Sequence, residues 1–166
     1  KNNHQGLADD SSWRRGQSWG LYGYVVMYRE TGDTKYLDHA KNIAAFLLDH
    51  PNMPKDYIPY WDYNAPGIPN ELRDSSAGAL IASALLELRG MVDEQELKDK
   101  YLNVTETILR TLASSEYTAN LGENGDFILK HGVGSKPHNS EIDVPLTYGD
   151  YYYIEALLRY KNLMGM

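Results

Sequence analysis

The sequence contains no cysteine, so it offers neither a disulfide framework nor a thiolate metal site, and redox compartment stays open. It contains no apolar run long enough to span a bilayer. Its 16 Lys and Arg form no cluster against 23 Asp and Glu, and a net charge of −7 argues against nucleic acid or an anionic membrane as the partner. An anionic ligand therefore needs a local basic residue. The histidines, His4, His39, His50, His131 and His138, include no pair at the spacing of a helical metal site, so no metal and no other cofactor is expected. A Gly-x-Ser-x-Gly elbow and a phosphate-cradling glycine loop are both absent. Phenylalanine is nearly absent too, with two residues against fourteen Tyr and three Trp. Rings with a polar handle suit a sugar, whose face packs on the ring while its edge bonds the hydroxyl, although protein surfaces use the same chemistry. Lys1 is not a methionine and no targeting segment lies in these residues. The sequence is expected to be a piece of something longer, whose location it leaves open among cytoplasm, periplasm and exterior.

What is present reads as helices of two kinds. Residues 13–31 form one that begins near an Asp9-Asp10-Ser11-Ser12 cap region and stops at Gly32, with apolar and small residues on most sides. A second starts at Asp33 or Thr34, carries Leu37, Ala40, Ala44 and Leu47 on one face, and ends at Pro51. Residues 52–73, rich in Pro, Tyr and Trp, read as a long ordered loop. Asp74 caps a third helix, apolar or small on every face and hence buried all round. Asp93 and Glu96 have capping-box spacing ahead of the stripe Leu97, Tyr101, Val104, Ile108 and Leu112. Residues 115–147 read as loop with one short strand at Phe127-Ile128-Leu129, and a last helix with little polar surface runs from about Asp150 to Leu163. The expected fold is all-α, with about five helices alternating inner and outer. Three inner and two outer helices do not close a ring, and a short α-solenoid is the competing architecture.

The candidate chemistry lies at the start of the first helix. Arg15 and Trp19, four apart, share a face, and an anion beside Arg15 also meets the helix N-terminus. Gln5 reaches the same space as donor and acceptor, and His4 is the one histidine adjoining it. The structural alternative pairs Arg15 with Asp9 or Asp10 and puts Trp19 in the core. Gly16, Gly20 and Gly23 cut a groove that a neighbouring helix fills more readily than a ligand. Asp150 is the most suggestive single carboxylate, with helix capping as its alternative role.

These residues resemble a known family. Gln5-Gly6, Asp9-Asp10-Ser11, Trp13, Arg15-Gly16-Gln17-Ser18-Trp19, Tyr60-Trp61-Asp62, Arg73-Asp74-Ser75-Ser76-Ala77 and Asp150-Tyr151-Tyr152 with Glu155-Ala156 are similar to the unsaturated glucuronyl hydrolases, glycoside hydrolase family 88. The match runs nearly end to end and covers the C-terminal half of that family's (α/α)6 barrel, so residues 1–166 are expected to be one partial domain. Ser18 stands where an alanine is usual.

The resemblance implies that the parent protein removes a non-reducing-end unsaturated glucuronic acid from lyase-generated oligosaccharides by hydrating its C4=C5 bond. An aspartic acid protonates the vinyl ether carbon and its carboxylate helps activate water; the hemiketal opens and the glycosidic bond is lost. The family's two essential aspartates lie in its N-terminal half and have no counterpart here. By resemblance Gln5 is the assisting catalytic residue, while Arg15 and Trp19 contact the substrate, with His4 adjoining. The segment His131 to Pro137 corresponds to a loop near the far end of the substrate. The sister unsaturated rhamnogalacturonyl hydrolases, which commonly read Gly-Asn-Gly-Trp where this chain has Gly16-Gln17-Ser18-Trp19, are the second reading. The third is a non-catalytic half-barrel that binds sugar weakly or self-associates through exposed inner helices.

Overall fold

A computed structural model describes residues 4–166. Its main elements are five α-helices, α1 (Arg14–Thr31), α2 (Thr34–Leu48), α3 (Ser75–Arg89), α4 (Gln95–Leu112) and α5 (Thr147–Met164), and two short strands, β1 (Gly132–Ser135) and β2 (Ser140–Val144), paired antiparallel. None of the described helices is long and apolar enough to cross a membrane.

Local chemistry sets several boundaries as expected. The Asp33 and Asp74 side chains accept from the amides of Lys35 and Ser76, capping α2 and α3. Gly32 adopts a left-handed φ of 67° and sends its amide back to the Tyr28 carbonyl, ending α1. Other boundaries differ. The α1 cap position is Trp13, without a side-chain cap bond, because Ser11 Oγ donates to Asp62 and the Ser12 amide to Asn64, both in the loop of residues 52–73. The Asp93–Glu96 capping box does not form: Glu94 takes the cap position and reaches across to Lys41 of α2, leaving Glu96 one position short of the required spacing.

Side-chain contacts give the helix directions. Along α1 and α5, Trp19 meets Tyr148 and Tyr152, then Tyr22 meets Tyr152 and Glu155. Lower down, Ser83 of α3 meets Glu155, and Glu87 meets both Arg29 and Arg159. Numbers rise together, so α1, α3 and α5 run parallel with their N-terminal ends at one side. Helix α2 returns antiparallel to α1, with Tyr24 on His39 and the open side of Gly20 facing Ile43. Helix α4 lies against α3, where Gly78 admits Ile58 and Ile108.

Helix α3 is enclosed by this arrangement, with thirteen of its fifteen residues buried. Each large aliphatic side chain fully buried there contributes about 2 kcal/mol. Helices α2 and α4 bury one face each, through Ala40, Ala44 and Leu47 and through Tyr101, Val104, Ile108 and Leu112. Helices α1 and α5, also read as inner, are enclosed less completely. Met27, Tyr151, Ile154, Leu157 and Leu158 are exposed, because among the described residues these helices have a neighbour on only part of their circumference.

Three further expectations are corrected. The strand lies not at Phe127–Leu129 but five residues later, in the β1–β2 hairpin. The amides of Ile128 and Leu129 are instead each taken by the Asp150 carboxylate at 2.8 Å. Helix α5 starts at Thr147, which puts Asp150 in its first turn rather than at its cap. The three glycines of α1 also form no common groove: Gly16 lies under the Trp13 ring, Gly20 faces Ile43, and Gly23 meets nothing within 4 Å.

Candidate functional site

The parallel arrangement brings Arg15 of α1, Asp74 and Ser75 of α3, and Tyr148 of α5 to the same end of the molecule, where β1 crosses them. Arg15 is 3% exposed. Its guanidinium donates to the carbonyls of Val133 and Gly134 and lies 3.4 Å from Asp74 Oδ2. Its carboxylate partner is thus Asp74, distant in sequence. Asp74 is fully buried and also accepts from Ser76 Oγ at 2.6 Å and from the Val133 amide at 3.5 Å. Burial raises its pKa, outweighing the opposing pull of Arg15.

The other expected residues gather around this pair. Gln5, half-buried, donates from Nε2 to the Gly134 carbonyl at 3.4 Å, the same oxygen that Arg15 holds. The Tyr148 ring stands 5.2 Å from the Arg15 guanidinium and 6.3 Å from Trp19. Trp19 is half-buried, with the edge of Tyr152 at 5.1 Å, and Tyr152 in turn contacts Tyr22. His4 is exposed, its ring 4.5 Å from His138, whose Nδ1 is hydrogen-bonded to Ser135 Oγ at 2.7 Å. Gln5, Arg15, Trp19 and His4 therefore line one end of the molecule, linked through Gly134, Tyr148 and the hairpin.

Close approach is built into this end. A Cβ on Gly132 would stand 2.6 Å from Leu146 Cδ1 and 2.7 Å from the Val144 carbonyl. On Gly149 it would stand 3.3 Å from Ser76 Cβ, where α5 touches α3. Glycine at these two places lets the hairpin and α5 close onto the helix ends.

The chemistry available is binding and orientation. Rings from Trp19, Tyr148 and Tyr152 offer faces and edges, and Gln5 offers an amide. Burial pushes the Tyr148 hydroxyl pKa up to about 12, against the influence of Arg15, so it stays a neutral donor. Three carboxylates along these helices are engaged by the protein: Asp74 by Ser76 and Arg15, Asp150 by two amides, and Glu155 by Tyr22, Ser83 and Arg159. Among the described residues no three His, Asp or Glu come together as a metal-ligating group. Sequence reasoning gives Asp74 a capping role and places it, with Tyr152 and Glu155, in the family resemblance, but assigns none of these three and not Tyr148 to the site. The run Tyr148-Gly149-Asp150-Tyr151-Tyr152-Tyr153 was the available signal, but it pointed to Asp150.

No family model matches the chain. Among curated proteins, the chain is 45% identical over 164 residues to an unsaturated glucuronyl hydrolase of Formosa agariphila, covering 99% of this chain and 40% of that protein. A solved unsaturated glucuronyl hydrolase specific for heparin matches with a TM-score of 0.95 and 52% identity, over 99% of this chain and 44% of that one. A variant of the Streptococcus agalactiae unsaturated glucuronyl hydrolase, complexed with dGlcA-GalNAc6S, matches with a TM-score of 0.85 and 34% identity, over 94% of this chain and 41% of that one. The five helices thus match part of the structures of these hydrolases. The chain is a homologue of the unsaturated glucuronyl hydrolases that spans about 40% of the length of its curated relatives.

Proposed function

We propose that this chain is the C-terminal half of an (α/α)6-barrel hydrolase that removes an unsaturated glucuronic acid from lyase-generated oligosaccharides by hydrating its C4=C5 bond. Residues 1–166 then form one partial domain, with α1, α3 and α5 as inner helices and α2 and α4 as outer ones. The chain supplies the holding side of the site. Trp19 packs on the sugar, Gln5 assists at the reacting end, His4 lies at the rim, and Arg15 supplies positive charge beside the uronate carboxylate. The proton donor comes from a part of the barrel outside these 166 residues, so the chain alone is inactive.

The observation that carries this reading is the engagement of Asp74 and Asp150 by protein groups at the end where Gln5, Arg15 and Trp19 meet, and of Glu155 further along α5. A general acid needs a proton it can deliver to substrate. These three hold helices and loops instead. The relatives described above, one specific for heparin and another complexed with dGlcA-GalNAc6S, support unsaturated disaccharides of glycosaminoglycan origin as the substrate class.

The test uses the complete protein that carries this sequence and follows loss of ultraviolet absorbance from unsaturated uronyl disaccharides. Turnover is expected, and Trp19→Ala is expected to raise KM about tenfold, the loss of one sugar-stacking contact of about 1.4 kcal/mol. Turnover only of unsaturated rhamnogalacturonyl disaccharides would favour the sister group. The exposed Tyr151, Ile154 and Leu158 support a further property of the isolated chain, self-association.

A further inference from the structure

The site carries a buried ion pair whose arrangement exceeds what helix capping requires. A Ser or Asn caps a helix about as well as Asp does, so capping of α3 does not explain why position 74 bears a charge. The charge faces Arg15, which is 3% exposed and would otherwise be a buried cation without a counter-ion. Arg15 in turn holds the Val133 and Gly134 carbonyls. Asp74 also accepts from the Val133 amide, and the neighbouring Ser75 amide donates to the His131 carbonyl at 3.0 Å. The backbone from His131 to Gly134 is thereby bonded at four points to the starts of α1 and α3.

The hairpin depends on this attachment. Its second strand is mostly exposed, and its pairing shifts register between Gly132 and Val133. A two-stranded hairpin is marginal in water without a surface to hold it. Yet this hairpin brings His138, bonded to Ser135, to His4, and Lys136 to Glu71 and Trp61. The position of that wall is set from the buried side.

We propose that Asp74 is a positioning residue: acting through Arg15, it locks β1 across the N-terminal ends of α1 and α3 and so fixes the hairpin wall against which the sugar binds. The part concerning sugar rests on the function proposed above. Arg15 then has its fork directed at the strand, and its influence on the substrate passes through the placement of β1 as well as through its charge.

The experiment uses the complete protein with Asp74→Asn and Asp74→Ser, both of which retain a capping side chain but remove the charge. Amide hydrogen exchange at Val133 and Gly134 is expected to accelerate about tenfold or more, a local loss of about 1.4 kcal/mol, while the α3 amides stay protected. KM for an unsaturated uronyl disaccharide is expected to rise by a similar factor with kcat within about twofold. If neither variant folds, Arg15→Lys, which keeps the charge and gives up the fork, is expected to produce the same exchange change. Unchanged exchange at Val133 and Gly134 overturns the proposal, as does a fall in kcat at constant KM. Absence of turnover in the unaltered protein would defeat the proposed function instead, and the exchange comparison would still decide the clamp.

Discussion

The Glu71 carboxylate and the Lys136 ammonium stand 2.6 Å apart, tying the loop of residues 52–73 to the turn of the hairpin. Glu71 also accepts from the Trp61 indole at 3.0 Å. Lys136 first, and then Trp61, hold its pKa below the usual carboxylate range against the opposing effect of burial. A depressed folded pKa means that the contribution is complete above the unfolded value of about 4.3 and fades as pH falls through the lower folded value. Glu71→Gln is expected to cost about 1 kcal/mol or less at pH 7, measured by denaturant unfolding, with the gap to the unaltered protein closing in acid. A gap that persisted undiminished well below pH 4 would contradict this assignment.

Arg14 is fully buried against the Tyr63 ring, and its three guanidinium nitrogens have no hydrogen-bond partner. Burial lowers its pKa, and the nearby Asp62 works the other way. Replacing a buried, poorly bonded cation by an apolar side chain of similar length is often stabilising. Arg14→Met is therefore expected to raise Tm by about 2–4 °C, equivalent to about 1 kcal/mol, in a thermal melt. A lower Tm would show that the charge has an unrecognised role.

Asp150 joins α5 to the Ile128–Leu129 segment through two amides. Asp150→Ala leaves both donors without their acceptor and is expected to cost about 2–3 kcal/mol. Asp150→Asn, which keeps one good acceptor, should lose less. Calorimetry measures the cost, and the pH dependence of turnover in the complete protein should be unmoved by Asp150→Asn. A lost basic limb would restore Asp150 as a candidate acid.

The exposed stripe of Tyr151, Ile154 and Leu158 lies along one side of α5. Such a surface favours association. The 166-residue chain is expected to scatter light as a dimer or larger species, and Ile154→Lys with Leu158→Glu to shift it towards monomer. A stable monomer before substitution would contradict the expectation.

Helices with a one-sided pattern were legible because period alone distinguishes their faces: Ala40, Ala44 and Leu47 in α2, and Val104, Ile108 and Leu112 in α4, are buried as their spacing requires. Helix α3 was legible for the opposite reason, having no polar face. For α1 and α5 the apolar surface states a need for neighbours and not their presence. The hairpin was hidden because Gly132, Gly134 and Pro137 carry a loop signature, while what orders β1 is Arg15 and Asp74, distant in sequence. For Arg15, the site position was legible and its carboxylate was not. Local inspection reached Asp9 and Asp10, whereas the partner, Asp74, is brought in by the parallel packing of α1 and α3.

Ultraviolet absorbance of an unsaturated uronyl disaccharide, followed with the 166-residue chain alone and with the complete protein that carries it, tests the central claim most directly. That claim is that these residues hold the sugar but do not donate the proton. The expected result is no loss above buffer with the chain alone and steady loss with the complete protein. Turnover by the chain alone, at a rate near that of the complete protein, would contradict it.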